Sequence, residues 1–156
     1  MSDVAILIND DCEFDIDFTD TDFAIEEGLE TAVFISWFTD RRADLEDLAN
    51  ASVDRRGYWG DMFPEVDNDQ IGSKFWTRFP GKATRENRVK IESDLRESLE
   101  WMIEDGISDE INVSASFFGS EGIRLEASIK RPDTDKPQIF SFVWNGQIMK
   151  RGRSGV

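Results

Sequence analysis

Apolar side chains in the C-terminal third of this chain recur at every second position. The alternation runs through residues 111–117, 123–129 and 139–144, and glycine or proline residues typical of turns separate the three segments. Because successive side chains of a strand point to opposite faces, this period predicts strands with one apolar face. We therefore predict an antiparallel three-stranded meander, with Phe140, Phe142 and Trp144 on one face of its third strand.

Two upstream segments have the period of an α-helix instead. Residues 28–38 place apolar and aromatic side chains around most of a short helix, which must therefore be buried on most sides. Residues 84–106 predict a second, amphipathic helix, with Thr84 as its N-terminal cap and Gly106 as its C-terminal cap. The apolar stripe of this second helix consists of Ile91, Leu95, Leu99, Met102 and Ile103.

The N-terminal region, residues 4–26, predicts two extended segments. Apolar residues alternate with aspartates over residues 14–18, and Phe23 and Ile25 follow a turn-like Thr-Asp-Thr-Asp sequence. This pattern indicates a half-buried β-hairpin formed by these two segments.

A long segment between the two helices, residues 52–82, is rich in aromatic residues, glycine and proline. A loop of this length inside a compact domain is usually functional. It contains Arg55, Arg56, Tyr58 and Trp59, whose residue types dominate protein-binding hot spots. Two interpretations are equally supported: a loop that docks onto a partner, or a packed loop whose rings cover the first helix and whose arginines pair with acids.

Arg41 and Arg42 follow the first predicted helix. In that position they can bind its last carbonyl groups and favour the negative end of its dipole. In an acidic chain, they are also candidates for orienting carboxylates within the fold or across an interface.

The composition supports one α+β domain over residues 1–156, with a basic tail at 150–156. The 156 residues are 39% hydrophobic and 12% aromatic, which is enough for a core despite the high charge. Along the chain we expect an N-terminal β-hairpin, a short buried helix, a long aromatic loop, a second amphipathic helix and the C-terminal antiparallel meander.

The net charge of −15 narrows the class of partner. It opposes binding to nucleic acid and to anionic membranes, because phosphate groups are repelled. Basic protein surfaces are favoured, and a role in solubility alone explains the charge equally well. The chain also has no histidine and one cysteine, so the usual general base and metal ligands are missing. We expect no catalytic residue, no metal and no cofactor, and therefore no enzyme.

Several segments together resemble the small baseplate wedge proteins of Mu-like contractile-tailed phages. The most specific is Arg-Arg-Gly-Tyr-Trp-Gly-Asp, and the likeness covers nearly the whole chain. The segments are 28–33 (GLETAV), 38–43 (FTDRRA), 54–61 (DRRGYWGD), 71–73 (IGS) and 101–106 (WMIEDG).

This family is similar to the sheath-initiator proteins of other contractile systems, which implies a structural role where baseplate, tube and sheath meet. The implied partners are other wedge proteins, tail tube or hub proteins and the sheath protein, in an assembly with six-fold symmetry. The implied location is the virion tail baseplate, after assembly in the host cytoplasm. In such proteins a sheath strand adds to an exposed strand edge. The matching edge in this chain is 139–144, extended by 147–150.

The chain departs from the wider sheath-initiator group at one point. That group carries a Trp-Glu-Pro-Arg segment after its helix, whereas here Trp101 is followed by Glu104 and Asp105 without Pro-Arg. Clamping of wedge subunits by that route is therefore not expected. Two other functions stay open from the residues alone: an acidic inhibitor that mimics DNA, and a lysozyme-like glycosidase that uses two carboxylates.

Overall fold

The computed structural model describes most of the chain, and the described residues form eight strands and three α-helices. The described residues are 3–8, 14–20, 22, 25–26, 28–48, 54–64, 69–78, 84–118, 122–144 and 149–151. The strands are β1 (Asp3–Val4), β2 (Ile6–Ile8), β3 (Phe14–Ile16), β4 (Ile25–Glu26), β5 (Glu110–Phe118), β6 (Gly122–Lys130), β7 (Gln138–Trp144) and β8 (Met149–Arg151). The α-helices are α1 (Glu30–Phe38), α2 (Arg85–Glu97) and α3 (Trp101–Glu104), and short 3-10 helices span Leu45–Asp47, Trp59–Met62 and Phe75–Arg78.

The C-terminal sheet is antiparallel and has the order β5-β6-β7-β8. The three predicted strands are confirmed, and β8 adds a fourth that pairs with residues 142–144 of β7. In the central strand β6, Ile123, Leu125, Ala127 and Ile129 are all buried. Each large apolar side chain buried in this way contributes roughly 1.5–3 kcal/mol.

The helices cover the apolar face of this sheet. Trp37 of α1 is 1% exposed, its ring centroid lies 5.7 Å from that of Phe142, and its indole N–H donates to the carbonyl of Leu95 at 3.1 Å. These contacts join α1, α2 and β7 around one core. The fold class is therefore α+β, as the sequence predicts.

The predicted second helix is divided into two. The N-cap is confirmed, because the Thr84 hydroxyl accepts from Asn87 N at 3.2 Å. After Glu97 the backbone tightens to three-residue hydrogen bonds, and the Ser98 hydroxyl donates to Leu95 O at 2.8 Å. Beyond this turn Ile103 points away from the core and is 42% exposed. The other residues of the predicted stripe are buried.

The N-terminal strands do not pair as predicted. An antiparallel N-terminal pair is present, but among the named strands β3 pairs with β2 and β4 pairs with β1, so β3 and β4 are not paired with each other as the sequence predicts. The turn between them is present, since Thr19 N donates to Asp22 O at 2.8 Å, while Phe23 lies outside the described residues. Alternation identifies a strand but carries no information about its partner, and here each strand pairs with a segment upstream.

Candidate protein-docking surface

Backbone pairing fixes the base of the aromatic loop to the end of α1. Asp40 and Ser73 form a parallel bridge, in which Ser73 N donates to Thr39 O at 2.9 Å and Arg41 N donates to Ser73 O at 3.0 Å. The Ser73 hydroxyl also donates to the Trp37 carbonyl at 2.6 Å. The described part of the loop is therefore held against the end of α1 at this point.

Gly72 permits this close approach of two backbone segments. Its φ of +91° is in the left-handed region, and a Cβ atom there would collide with the carbonyl oxygen of Thr39. Only glycine avoids both the strained backbone and the collision.

A chain of five charged side chains links the loop to α2. Lys74 Nζ lies 2.8 Å from a carboxylate oxygen of Asp44 and 2.8 Å from one of Asp47. Arg78 continues the chain, with Nη2 3.2 Å from Asp47 Oδ1 and Nε 2.6 Å from Asp94 Oδ2. Hydrogen bonds between charged groups are stronger than neutral ones, so this network holds the loop against the helix.

The pKa values in this network favour its charged form. Burial raises the pKa of the Asp47 carboxyl, but the hydrogen bond and charge of Lys74, together with Arg78, outweigh it and lower that pKa below its ordinary value. Burial lowers the pKa of Lys74, but hydrogen bonds to Asp44 and Asp47 raise it overall. The hydrogen bond to Asp94 is the main reason that the pKa of Arg78 is raised.

Arg41 and Arg42 contact other parts of the same chain. Arg41 Nη1 lies 3.0 Å from Glu97 Oε1, and its Nη2 donates to the Gln70 carbonyl at 3.2 Å. Arg42 Nη1 donates to the Arg56 carbonyl at 3.4 Å. Of the two predicted roles, the contacts of Arg41 match the orientation of a carboxylate within the fold.

Arg55 and Arg56 also bind within the loop region. Arg55 Nε donates to the Ala43 carbonyl at 2.6 Å. Arg56 Nη1 lies 2.8 Å from Asp40 Oδ2, and its guanidinium lies over the Trp76 ring, 4.6 Å from the centroid. These arginines therefore shape the loop, and direct contact with a partner stays a prediction for them.

Four large side chains of segment 58–63, which we call the exposed segment, lie at the surface. The exposed fractions are 41% for Tyr58, 71% for Trp59, 70% for Met62 and 78% for Phe63. The rings of Tyr58 and Trp59 contact each other, with centroids 5.5 Å apart. Met62 and Phe63 were not among the predicted contact residues, although they follow Tyr58 and Trp59 closely and are also large apolar side chains.

A groove of about 710 Å³ lies between α1, the loop and the corner where α2 meets α3. Its lining includes Ile35 of α1, Ile71 of the loop and Trp101 of α3. Asp61 and Asp69 are its acidic residues, and its described lining includes no lysine or arginine. The surface thus combines apolar side chains with negative charge.

The two edges of the C-terminal sheet differ. Phe140, Phe142 and Trp144 lie on β7, which pairs with β6 along its length and with β8 over residues 142–144. At this end of β7, β8 is the outermost described strand. At the other edge, Glu92 of α2 accepts from the backbone N–H of Ala115 in β5 at 2.9 Å. A side-chain carboxylate thus occupies a strand-edge donor on β5, and this limits the addition of another strand there.

Within the described ranges, no group of three or more acidic, cysteine or histidine side chains is arranged to hold a metal ion. None of the helices in those ranges is long and apolar enough to cross a membrane.

Comparison with known proteins identifies relatives along nearly the whole chain. The family described as phage protein GP46 matches residues 29–136. The chain is 34% identical to the "Baseplate protein gp46" of Escherichia phage Mu over 94% of its own length and 99% of that protein. It is 30% identical to the "Mu-like prophage FluMu protein gp46" of Haemophilus influenzae over 93% of its own length and 99% of that protein. The chain therefore belongs to the Mu-like phage baseplate protein family described as phage protein GP46.

Proposed function

We propose that this protein is a structural, non-enzymatic component of a phage tail baseplate. Its position would be in the wedge, where it links the baseplate to the tail tube and to the first ring of the contractile sheath. The membership of the Mu-like baseplate family supports the baseplate role. The observation that carries the finer proposal is the asymmetry of the C-terminal sheet, which has one obstructed edge and one outermost short strand among the described residues.

The proposed mode of attachment to the sheath is β-strand addition at β8. In this mode, backbone hydrogen bonds to an incoming strand supply affinity, and side chains on alternate positions supply specificity. The bond between Glu92 and Ala115 disfavours addition at β5, so the incoming strand would pair on the β8 side. Each copy of this chain would then accept one strand of the sheath protein, so that the first ring of the sheath forms at the baseplate.

The exposed segment supplies the second proposed contact. Tyr58 and Trp59 would insert into a neighbouring wedge, tube or hub protein, because aromatic side chains in well-packed pockets carry most interface energy. Arg55 and Arg56 would fix the loop conformation that presents them. The net charge of −15 would steer the chain toward basic surfaces of these proteins and away from nucleic acid and membranes.

The test compares a variant that lacks the β8 strand with a variant that keeps the β8 backbone but not its side chains. Truncation after Trp144 removes the strand, whereas replacing residues 149–151 with alanine keeps its backbone. Each variant replaces the wild-type protein during tail assembly in the host cytoplasm, and tails are inspected for sheath by electron microscopy. We expect tails without attached sheath from the truncated chain and sheathed tails from the alanine variant.

Circular dichroism and denaturant unfolding of both purified variants provide the control for folding. Since β8 contributes three residue pairs to the sheet, both variants should retain the core and most of the wild-type stability. Normal contractile tails from the folded, truncated chain would exclude attachment through β8.

A further inference from the structure

Asp61 has an unusual environment at the edge of the groove. Its Oδ1 accepts a hydrogen bond from Ile71 N at 3.3 Å. Its Oδ2 is buried and has no hydrogen-bond partner among the described residues. A buried charged oxygen without a partner is costly, so such a group usually marks a place where a ligand or water completes the bonding.

The groove beside Asp61 indicates the chemistry of a ligand that could supply the missing hydrogen bond to Oδ2. Its volume of about 710 Å³ can hold one or two large side chains. The lining is apolar around Ile35 and Trp101, and its charged members are Asp61 and Asp69. A matching occupant has an apolar part for the groove and a cationic donor for Asp61.

We propose that this groove binds a segment of a neighbouring baseplate protein, which inserts a large apolar side chain and presents an arginine or lysine to Asp61 Oδ2. A second copy of this chain is a poor occupant, because both copies carry a net charge of −15 and repel each other. The inference rests on the proposed baseplate function and adds the chemistry of the bound partner.

The test places a photo-crosslinker in the groove within assembled tails. Ile71→p-benzoylphenylalanine puts the probe on an exposed side chain of the lining, and the same substitution at Val89, an exposed residue of α2 outside the lining, is the control. Crosslinked peptides are identified by mass spectrometry. We expect the probe at position 71 to mark one segment of another tail protein, with an arginine or lysine close to the crosslinked residue, and the probe at 89 not to mark that segment.

Asp61→Asn separates a binding role from a structural one. The asparagine keeps the oxygen that accepts from Ile71 N but replaces the unpartnered charged oxygen with an amide that cannot accept from a cation. We expect the yield of the position-71 crosslink to fall at least about tenfold. This is the decrease in binding expected when one hydrogen bond to a charged group is lost. The stability of the isolated variant should be unchanged or higher, because the oxygen that is replaced is buried and has no hydrogen-bond partner among the described residues.

The outcomes distinguish this inference from the proposed function. Crosslinks to a second copy of this chain, crosslinks to a segment without a basic residue, or an unchanged yield with Asp61→Asn would each overturn the inference. Tails that contain the chain but give no groove crosslink would overturn the inference and leave the baseplate role intact. Absence of the wild-type chain from tails would overturn the baseplate role itself.

Discussion

At the scale of single residues, two glycines with positive φ differ in what surrounds them. Gly72 has φ +91° and faces the backbone of Thr39, whereas Gly106 has φ +68° and a Cβ atom added there would meet nothing within 4 Å. Gly72→Ala should lower the free energy of unfolding by more than about 3 kcal/mol, because strain and collision add. Gly106→Ala should cost only about 1 kcal/mol. Denaturant unfolding measures both, and equal losses would contradict the proposed packing of the loop base.

Asp47 gives a second residue-scale prediction, on pH dependence. The pKa of Asp47 in the folded protein lies below the ordinary value of 3.8. The ionised carboxylate therefore contributes its full stabilisation above pH 3.8, and this contribution is lost as the pH falls through the lower pKa of the folded state. Asp47→Asn should therefore reduce the free energy of unfolding by about 1–2 kcal/mol at neutral pH. The difference from wild type should shrink in acid, below pH 3.8.

Asp133→Asn is the control for that experiment, since Asp133 lies exposed in the connection between β6 and β7. It should change the free energy of unfolding by less than about 0.5 kcal/mol at neutral pH. A loss from Asp47→Asn that stayed constant down to about pH 2 would show that its ion pairs do not stabilise the fold.

At the scale of elements, Glu92 joins a helix to a strand edge. Its carboxylate accepts from Ala115 N at 2.9 Å, and both residues lie where α2 meets β5. Glu92→Ala should lower the free energy of unfolding by about 1–3 kcal/mol, because a partly buried backbone donor loses its acceptor. Glu86→Ala removes only an exposed pair with Lys90 on the same helix and should cost less than about 0.5 kcal/mol. Urea unfolding compares the two, and a similar small loss from both would mean that the bond at the β5 edge is weak.

The elements also show what sequence patterns can and cannot predict. The three long strands and the cap at Thr84 were predictable, because alternation and capping are local signals. The strand β8 was only an extension of the predicted edge, since three residues are too few to establish a period. The pairings of β1 with β4 and of β2 with β3 depend on contacts between separate segments, which local patterns do not contain.

At the scale of the whole molecule, the docking surface is assembled from distant parts of the chain. The sequence indicated Tyr58 and Trp59 as contact residues by type, and their exposure is consistent with that role. It did not predict the groove, whose lining comes from α1, the loop and α3. It also left two roles open for Arg55 and Arg56, and only the folded loop shows their bonds to Ala43 and Asp40.

The charge of the molecule is divided between internal pairs and the surface. Several of its basic side chains, including Arg41, Lys74 and Arg78, are paired with acids of the same chain. The net charge of −15 is then carried by the remaining acids, which are available to attract basic surfaces. The pairs therefore help to hold the loop, and the role of the excess charge in directing assembly belongs to the proposed function.

Attachment through β8 and Trp59 can be observed in a cryo-electron microscopy map of the assembled tail end at side-chain resolution. We expect that a strand of another protein continues the C-terminal sheet beyond β8 and that Trp59 is buried against a neighbouring subunit. A map in which this chain is present but both β8 and Trp59 face solvent would contradict this mode of attachment.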